Sequence, residues 1–150
     1  MKNYIPFLII PFVYLGVLFF LQKKARLTLL KKWTLFIAMT AFFVTELGRS
    51  FYRPFIYENK ISDYFIADTI GNSFGTMTAI FFALTISGRD AISDWKIIIM
   101  VVLGLVFYEL FNVTGDVAID LNDVIATLLF GAISAGIYFM LFRKYGEQIK

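Results

Sequence analysis

Five stretches of this chain run almost free of charge, and the charged residues collect between them. A bilayer hydrocarbon core of roughly 30 Å takes about 20 mainly apolar residues in an α-helix. The stretches 4–22, 33–51, 64–88, 95–113 and 123–142 have that length and character. The first is uncharged, and a basic cluster follows it without a small-residue cleavage site, so it reads as a retained helix and not a removed signal peptide. The pattern predicts an all-α, polytopic membrane helix bundle of about five transmembrane helices, forming one domain over 1–150.

Composition agrees. Hydrophobic residues make up 59% of the chain, mean hydropathy is +0.76, and there are 18 Phe. A soluble domain is nearer half apolar, and one this small keeps too much wet surface to hide such an excess. There is no Cys and no His, which removes thiol chemistry and the commonest general base and metal ligand. The net charge of +3 reflects loop placement in a membrane, not a nucleic-acid partner.

Basic residues in short loops set orientation. Lys23, Lys24, Arg26, Lys31 and Lys32 fill the first loop, Arg89 and Lys96 the third, and Arg143, Lys144 and Lys150 the tail. With five spans these lie on one side, read as cytoplasmic. The N-terminus is then outside and the C-terminus inside the plasma membrane. Most acidic residues fall at the opposite, outer end, among them Glu46, Glu58, Asp63, Asp68, Glu109, Asp116, Asp120 and Asp123. Acidic residues do not set topology, so this asymmetry calls for another cause.

Two segments read alike. Asp68-Thr-Ile-Gly-Asn72 leads to Gly75, and Asp123-Val-Ile-Ala-Thr127 leads to Gly131. Each opens a predicted helix, with a small and a polar residue three and four places after the Asp, on its face. Each follows a helix carrying a Glu near its outer end, Glu46 and Glu109. The arrangement suggests a repeated two-helix hairpin in parallel orientation, and such repeats often hold a site at their interface. Gly71, Gly75, Gly131 and Gly136 are expected to be close-packing contacts. The turn Gly88-Arg89-Asp90 carries no assigned function.

Asp68 and Asp123 suit N-capping as well as a site. Glu46 and Glu109 sit at helix C-termini, where the dipole disfavours them, so pairing inside the bundle is expected. Arg49 and Arg53 follow Glu46 by three and seven residues, on one face of a regular helix. The candidate ligand-binding set is Glu46, Arg49, Arg53, Asp68, Asn72, Glu109, Asp120, Asp123 and Thr127. Its carboxylates suit a hard cation, its arginines an anionic headgroup, and its paired acids acid–base work. The residues leave these open, and no cofactor, metal ligand set or catalytic group is assigned.

The second hairpin resembles the VanZ-like family of small bacterial membrane proteins. The resemblance rests on Tyr108-Glu109-Leu-Phe-Asn112, on Asp120-Leu-Asn-Asp123-Val-Ile-Ala-Thr127 and on Gly131; Glu46-Leu-Gly-Arg49 with Asp68 to Asn72 and Gly75 is similar. It covers about 46–142. Asn112 stands where the family often has Gln, Thr127 replaces its usual Asn, and residues 112–123 lack its frequent Arg. The resemblance implies protection at the cell envelope, as in teicoplanin resistance, with membrane lipids as surroundings and an outer-leaflet lipid or cell-wall precursor as ligand. Two rival readings stand beside it: a membrane enzyme acting on a lipid-linked phosphate, and a small transporter or membrane-complex subunit. An oligomer is compatible with all three.

Overall fold

The computed structural model describes residues 4–111 and 120–146. They form five helices: α1 (Ile5–Lys23), α2 (Leu29–Glu58), α3 (Ile66–Ser87), α4 (Trp95–Phe111) and α5 (Leu121–Tyr145). Four of these, α1, α2, α3 and α5, are long and apolar enough to cross a membrane. The expected Val113 end of the fourth stretch lies outside the described residues.

Successive helices run antiparallel, so the bundle has two ends. The loops 24–28 and 88–94 and the end of α5 form a basic end; the start of α1, the 59–65 loop and the start of α5 form an acidic end. Helix α3 is central and packs against α2, α4 and α5, while α1 leans chiefly on α2. The core gathers Leu35, Ala38, Met77, Ile80, Phe81, Leu84 and Tyr138. Only Leu21 is buried on α1, and Leu8, Phe12 and Phe19 lie about two-thirds or more exposed. In water that face would be a large unsatisfied apolar patch; hydrocarbon chains are its natural solvent. Pro11 inside α1 fits that setting, where helix prolines are tolerated.

Two boundaries differ from the sequence reading for physical reasons. Helix α2 begins at Leu29, four residues before the expected Trp33, because the Thr28 hydroxyl caps it by accepting from the Lys31 amide at 3.2 Å. Lys31, assigned to the first loop, therefore sits in the helix and is buried. At its far end α2 runs past residue 51 through a π turn, Gly48–Tyr52, into Arg53–Glu58. Pro54 accounts for the turn: it lacks an N–H, and its ring would clash with the carbonyl four residues back. The widened turn accommodates it, with the Arg53 amide bonding Gly48. The thirty residues of α2 span about 45 Å, beyond any hydrocarbon core.

The glycines divide. A Cβ on Gly131 would come 2.7 Å from Val102 Cγ2, so α4 and α5 meet there at a distance only glycine permits. Gly71 lies under the Arg49 guanidinium. Gly75 and Gly136 were expected to be close contacts too, but a Cβ at either would meet nothing within 4 Å, so both border open space. The two hairpins are thus not equivalent at the glycines that motivated the repeat.

Candidate functional site

At the acidic end the first turn of α3 is held by the loop before it. Asp63 accepts from the Ala67 amide at 2.7 Å, and Tyr64 and Phe65 take positive φ values of 57° and 67° to turn the chain into the helix. This places Asp68 beside the last turns of α2. Arg53 Nη2 donates to Asp68 Oδ1 at 3.3 Å, Arg53 Nε donates to the Tyr57 hydroxyl at 3.1 Å, and that hydroxyl donates to Asp68 in turn. The ion pair is 43% and 36% exposed on its two side chains, so in stability it is worth at most about 1 kcal/mol.

The start of α5 brings the other carboxylates to the same place. Asp120 serves as N-cap, accepting from the Asn122 amide at 2.9 Å. Asp123 lies one turn further in, facing the Asn72 side chain and within electrostatic range of Asp120, Arg53 and Asp68. Its Oδ1 is buried and takes no hydrogen bond among the described residues, a costly arrangement for a carboxylate oxygen. Glu109, near the end of α4, is within range of Asp123 and Asp120. Seven polar groups thus converge: Arg53, Tyr57, Asp68, Asn72, Glu109, Asp120 and Asp123. Tyr57 is the one that the sequence reading omitted. Among the described residues, no group of three or more carboxylates is spaced to hold a metal ion.

Three expected members stand apart. The π turn rotates Arg53 off the face it would share with Glu46 in a regular helix, so Arg53 reaches Asp68 while Glu46 and Arg49 line a separate groove against α3. Thr127 is buried in the bundle, 1% exposed, and presents nothing to a ligand. Asn112 and Asp116, and with them most of the outer loop before α5, lie outside the described residues.

The most densely bonded polar cluster lies at the other end, around the turn to which no function was given. Gly88 O accepts from Lys31 Nζ at 2.9 Å and Arg26 Nη2 at 3.2 Å. Asp94 accepts from the Arg89 and Ala91 amides and, at 2.9 Å, from the Tyr138 hydroxyl on α5. Lys31, Asp94 and Tyr138 are buried, and burial of charge demands such partners. Thr28 donates to Asp90 at 2.6 Å. The cluster clamps the loops 24–28 and 88–94 to α5. The cavity beside it, lined by Ile92, Trp95, Ile98, Ala135, Tyr138, Phe139 and Phe142, is apolar, so the cluster's polar groups bond one another and read as architecture.

Burial raises the Asp90 carboxyl above its ordinary value, opposed by the Thr28 hydroxyl, Lys31 and Arg26 and assisted by Asp94. A raised native value means that the folded chain holds this proton more tightly than the unfolded chain. Ionised Asp90 therefore weakens the fold at neutral pH, and that penalty fades as pH falls through the native value. Asp90→Asn keeps an acceptor for Thr28 and suits the φ of 56°. Its thermal midpoint should equal or exceed wild type at pH 7, with the gap closing toward pH 4. A midpoint clearly below wild type at pH 7 would show that attraction from Lys31 and Arg26 outweighs burial.

Comparison of the chain with protein-family models, with curated proteins and with solved structures finds no match.

Proposed function

We propose that this chain is a VanZ-like protein of the bacterial cell envelope, N-terminus outside and C-terminus cytoplasmic, whose acidic end binds an outer-leaflet lipid headgroup or a cell-wall precursor. The observation that carries the reading is the convergence of Asp68 and Asp123, from the starts of two different helices, on Asn72 and Arg53. Asp63 and Asp120 already supply the side-chain caps at those helix starts, each accepting one amide, and no capping bond to Asp68 or Asp123 is seen among the described residues. Asp68 and Asp123 are left facing one another's surroundings, with Glu109 behind them. Carboxylates that partly buried at the edge of a membrane are expensive and mark functional sites by default. Their excess over Arg53 favours a ligand that donates hydrogen bonds or carries an amine.

Susceptibility to teicoplanin tests it. The protein expressed in a sensitive Gram-positive host should raise resistance to teicoplanin more than to vancomycin. Asp68→Asn and Asp123→Asn should abolish that protection at unchanged expression. Protection that survives both substitutions would remove the site from the account.

A further inference from the structure

The groove that Glu46 and Arg49 share is separate from the acidic cluster and has its own chemistry. It lies between α2 and α3, with a volume of about 390 Å³. Phe42, Phe82, Ala79 and Ala83 give it an apolar floor and walls, and Gly75 leaves it deep, since a Cβ there would touch nothing within 4 Å. At its acidic end stand the two charges. Glu46 is half-buried, Arg49 is exposed, and neither makes a hydrogen bond or ion pair with a described residue. The Arg49 guanidinium lies across Gly71, whose missing side chain makes room for it: a Cβ there would come 2.9 Å from Nη2 and 3.2 Å from Nε. Opposite charges one helical turn apart that leave each other unpaired, at the mouth of an apolar trough open to the side, are complementary to a zwitterion with a tail.

We infer that the α2–α3 groove seats one zwitterionic phospholipid with a primary-amine headgroup, its phosphate on Arg49, its ammonium on Glu46 and an acyl chain along residues 75–83. A guanidinium presents forked donors to phosphate oxygens. An ammonium donates hydrogen bonds to a carboxylate, which a quaternary choline cannot do. The depth fits: Gly71 is between one and two turns into α3, about 7.5 Å along the helix from its start at Ile66. The lipid enters sideways from the bilayer, so no lid or channel is needed.

Native mass spectrometry from nanodiscs made of equal phosphatidylethanolamine and phosphatidylglycerol tests the inference. Wild type should retain one phosphatidylethanolamine at least fivefold over phosphatidylglycerol. Gly75→Leu, at a position where a Cβ meets nothing within 4 Å, should fill the groove and bring retention to the bulk ratio, with the intrinsic Trp fluorescence of the fold unchanged. Glu46→Gln should lose the preference for the amine while still retaining lipid; Arg49→Gln should lose both lipids. Phosphatidylethanolamine retained by Asp68→Asn after teicoplanin protection is gone would show the two sites to be independent. Bulk-ratio retention by wild type overturns the inference, as does selective retention that survives Gly75→Leu. A dimer split by Gly75→Leu would assign the groove to a second copy of the chain and overturn it as well.

Discussion

Asp94→Ala should lower the thermal midpoint of the purified protein by about 5–10 °C. One buried carboxylate, 3% exposed, accepts from the Arg89 and Ala91 amides and the Tyr138 hydroxyl. Alanine strands the buried Tyr138 hydroxyl and takes the acceptor from the partly buried Arg89 and Ala91 amides. Each buried, unpaired donor costs roughly 1–3 kcal/mol, and the losses overlap because they share one acceptor. A net loss of about 2–4 kcal/mol follows, at about 2–4 °C per kcal/mol for a chain this size. Lys31 also loses one of the two carboxylates whose charge offsets its burial. Trp95 adjoins Asp94, and Trp33 stacks on Tyr145 at the same end, so intrinsic fluorescence reads the clamp directly. Tyr138→Phe removes one partner and leaves the capping bonds, so its loss should be less than half as large. Equal losses for the two variants would place the stability in the α5 contact and not in the cap.

Gly131→Leu is the second large effect. Between membrane helices there is no aqueous driving force, and close backbone approach supplies the attraction. At the α4–α5 contact Gly131 faces Val102 with no room for a Cβ. Overpacking typically costs about 1–3 kcal/mol, and here a whole isobutyl group would push α4 off α5. The midpoint should fall by several degrees, with Gly131→Ala intermediate. Gly75→Ala makes the contrast: its Cβ meets nothing, and the better helix propensity of alanine should leave the midpoint equal or higher by the equivalent of up to about 1 kcal/mol. Equal losses at the two positions would mean that both glycines are close contacts.

The helices were legible because lipid imposes a simple rule on sequence. Every backbone group must bond within its own segment, so each crossing needs a long apolar run. That pattern is visible without any tertiary knowledge. Boundaries were less legible where a short-range feature decided them: the Thr28 cap moved the start of α2 back to Leu29, and Pro54 turned its end into a π turn. The acidic end was legible as an asymmetry of charge, and Arg53, Asp68, Asn72, Glu109, Asp120 and Asp123 do come together. Its division into two places was not. Helical periodicity put Glu46, Arg49 and Arg53 on one face, and a single extra residue in the π turn separates them. The clamp was missed because its signals are individually bland. Lys31 read as one more loop lysine, and nothing in the residues around Asp94 or Tyr138 marks either as a buried partner. Only the fold brings Lys31 to the Gly88 carbonyl and Tyr138 to Asp94, across 57 and 44 residues of chain.

The central claim is that the Asp68–Asp123 cluster faces the outside of the cell. The chain contains no cysteine, so a single introduced thiol reports its side without background. Ser62 and Ser93 are exposed, near-isosteric with cysteine, and sit at the acidic and basic ends respectively. Intact cells treated with a membrane-impermeant maleimide should label Ser62→Cys, and should label Ser93→Cys only after permeabilisation. Labelling of Ser93→Cys in intact cells, with Ser62→Cys protected, would turn the protein over and contradict an outward-facing site.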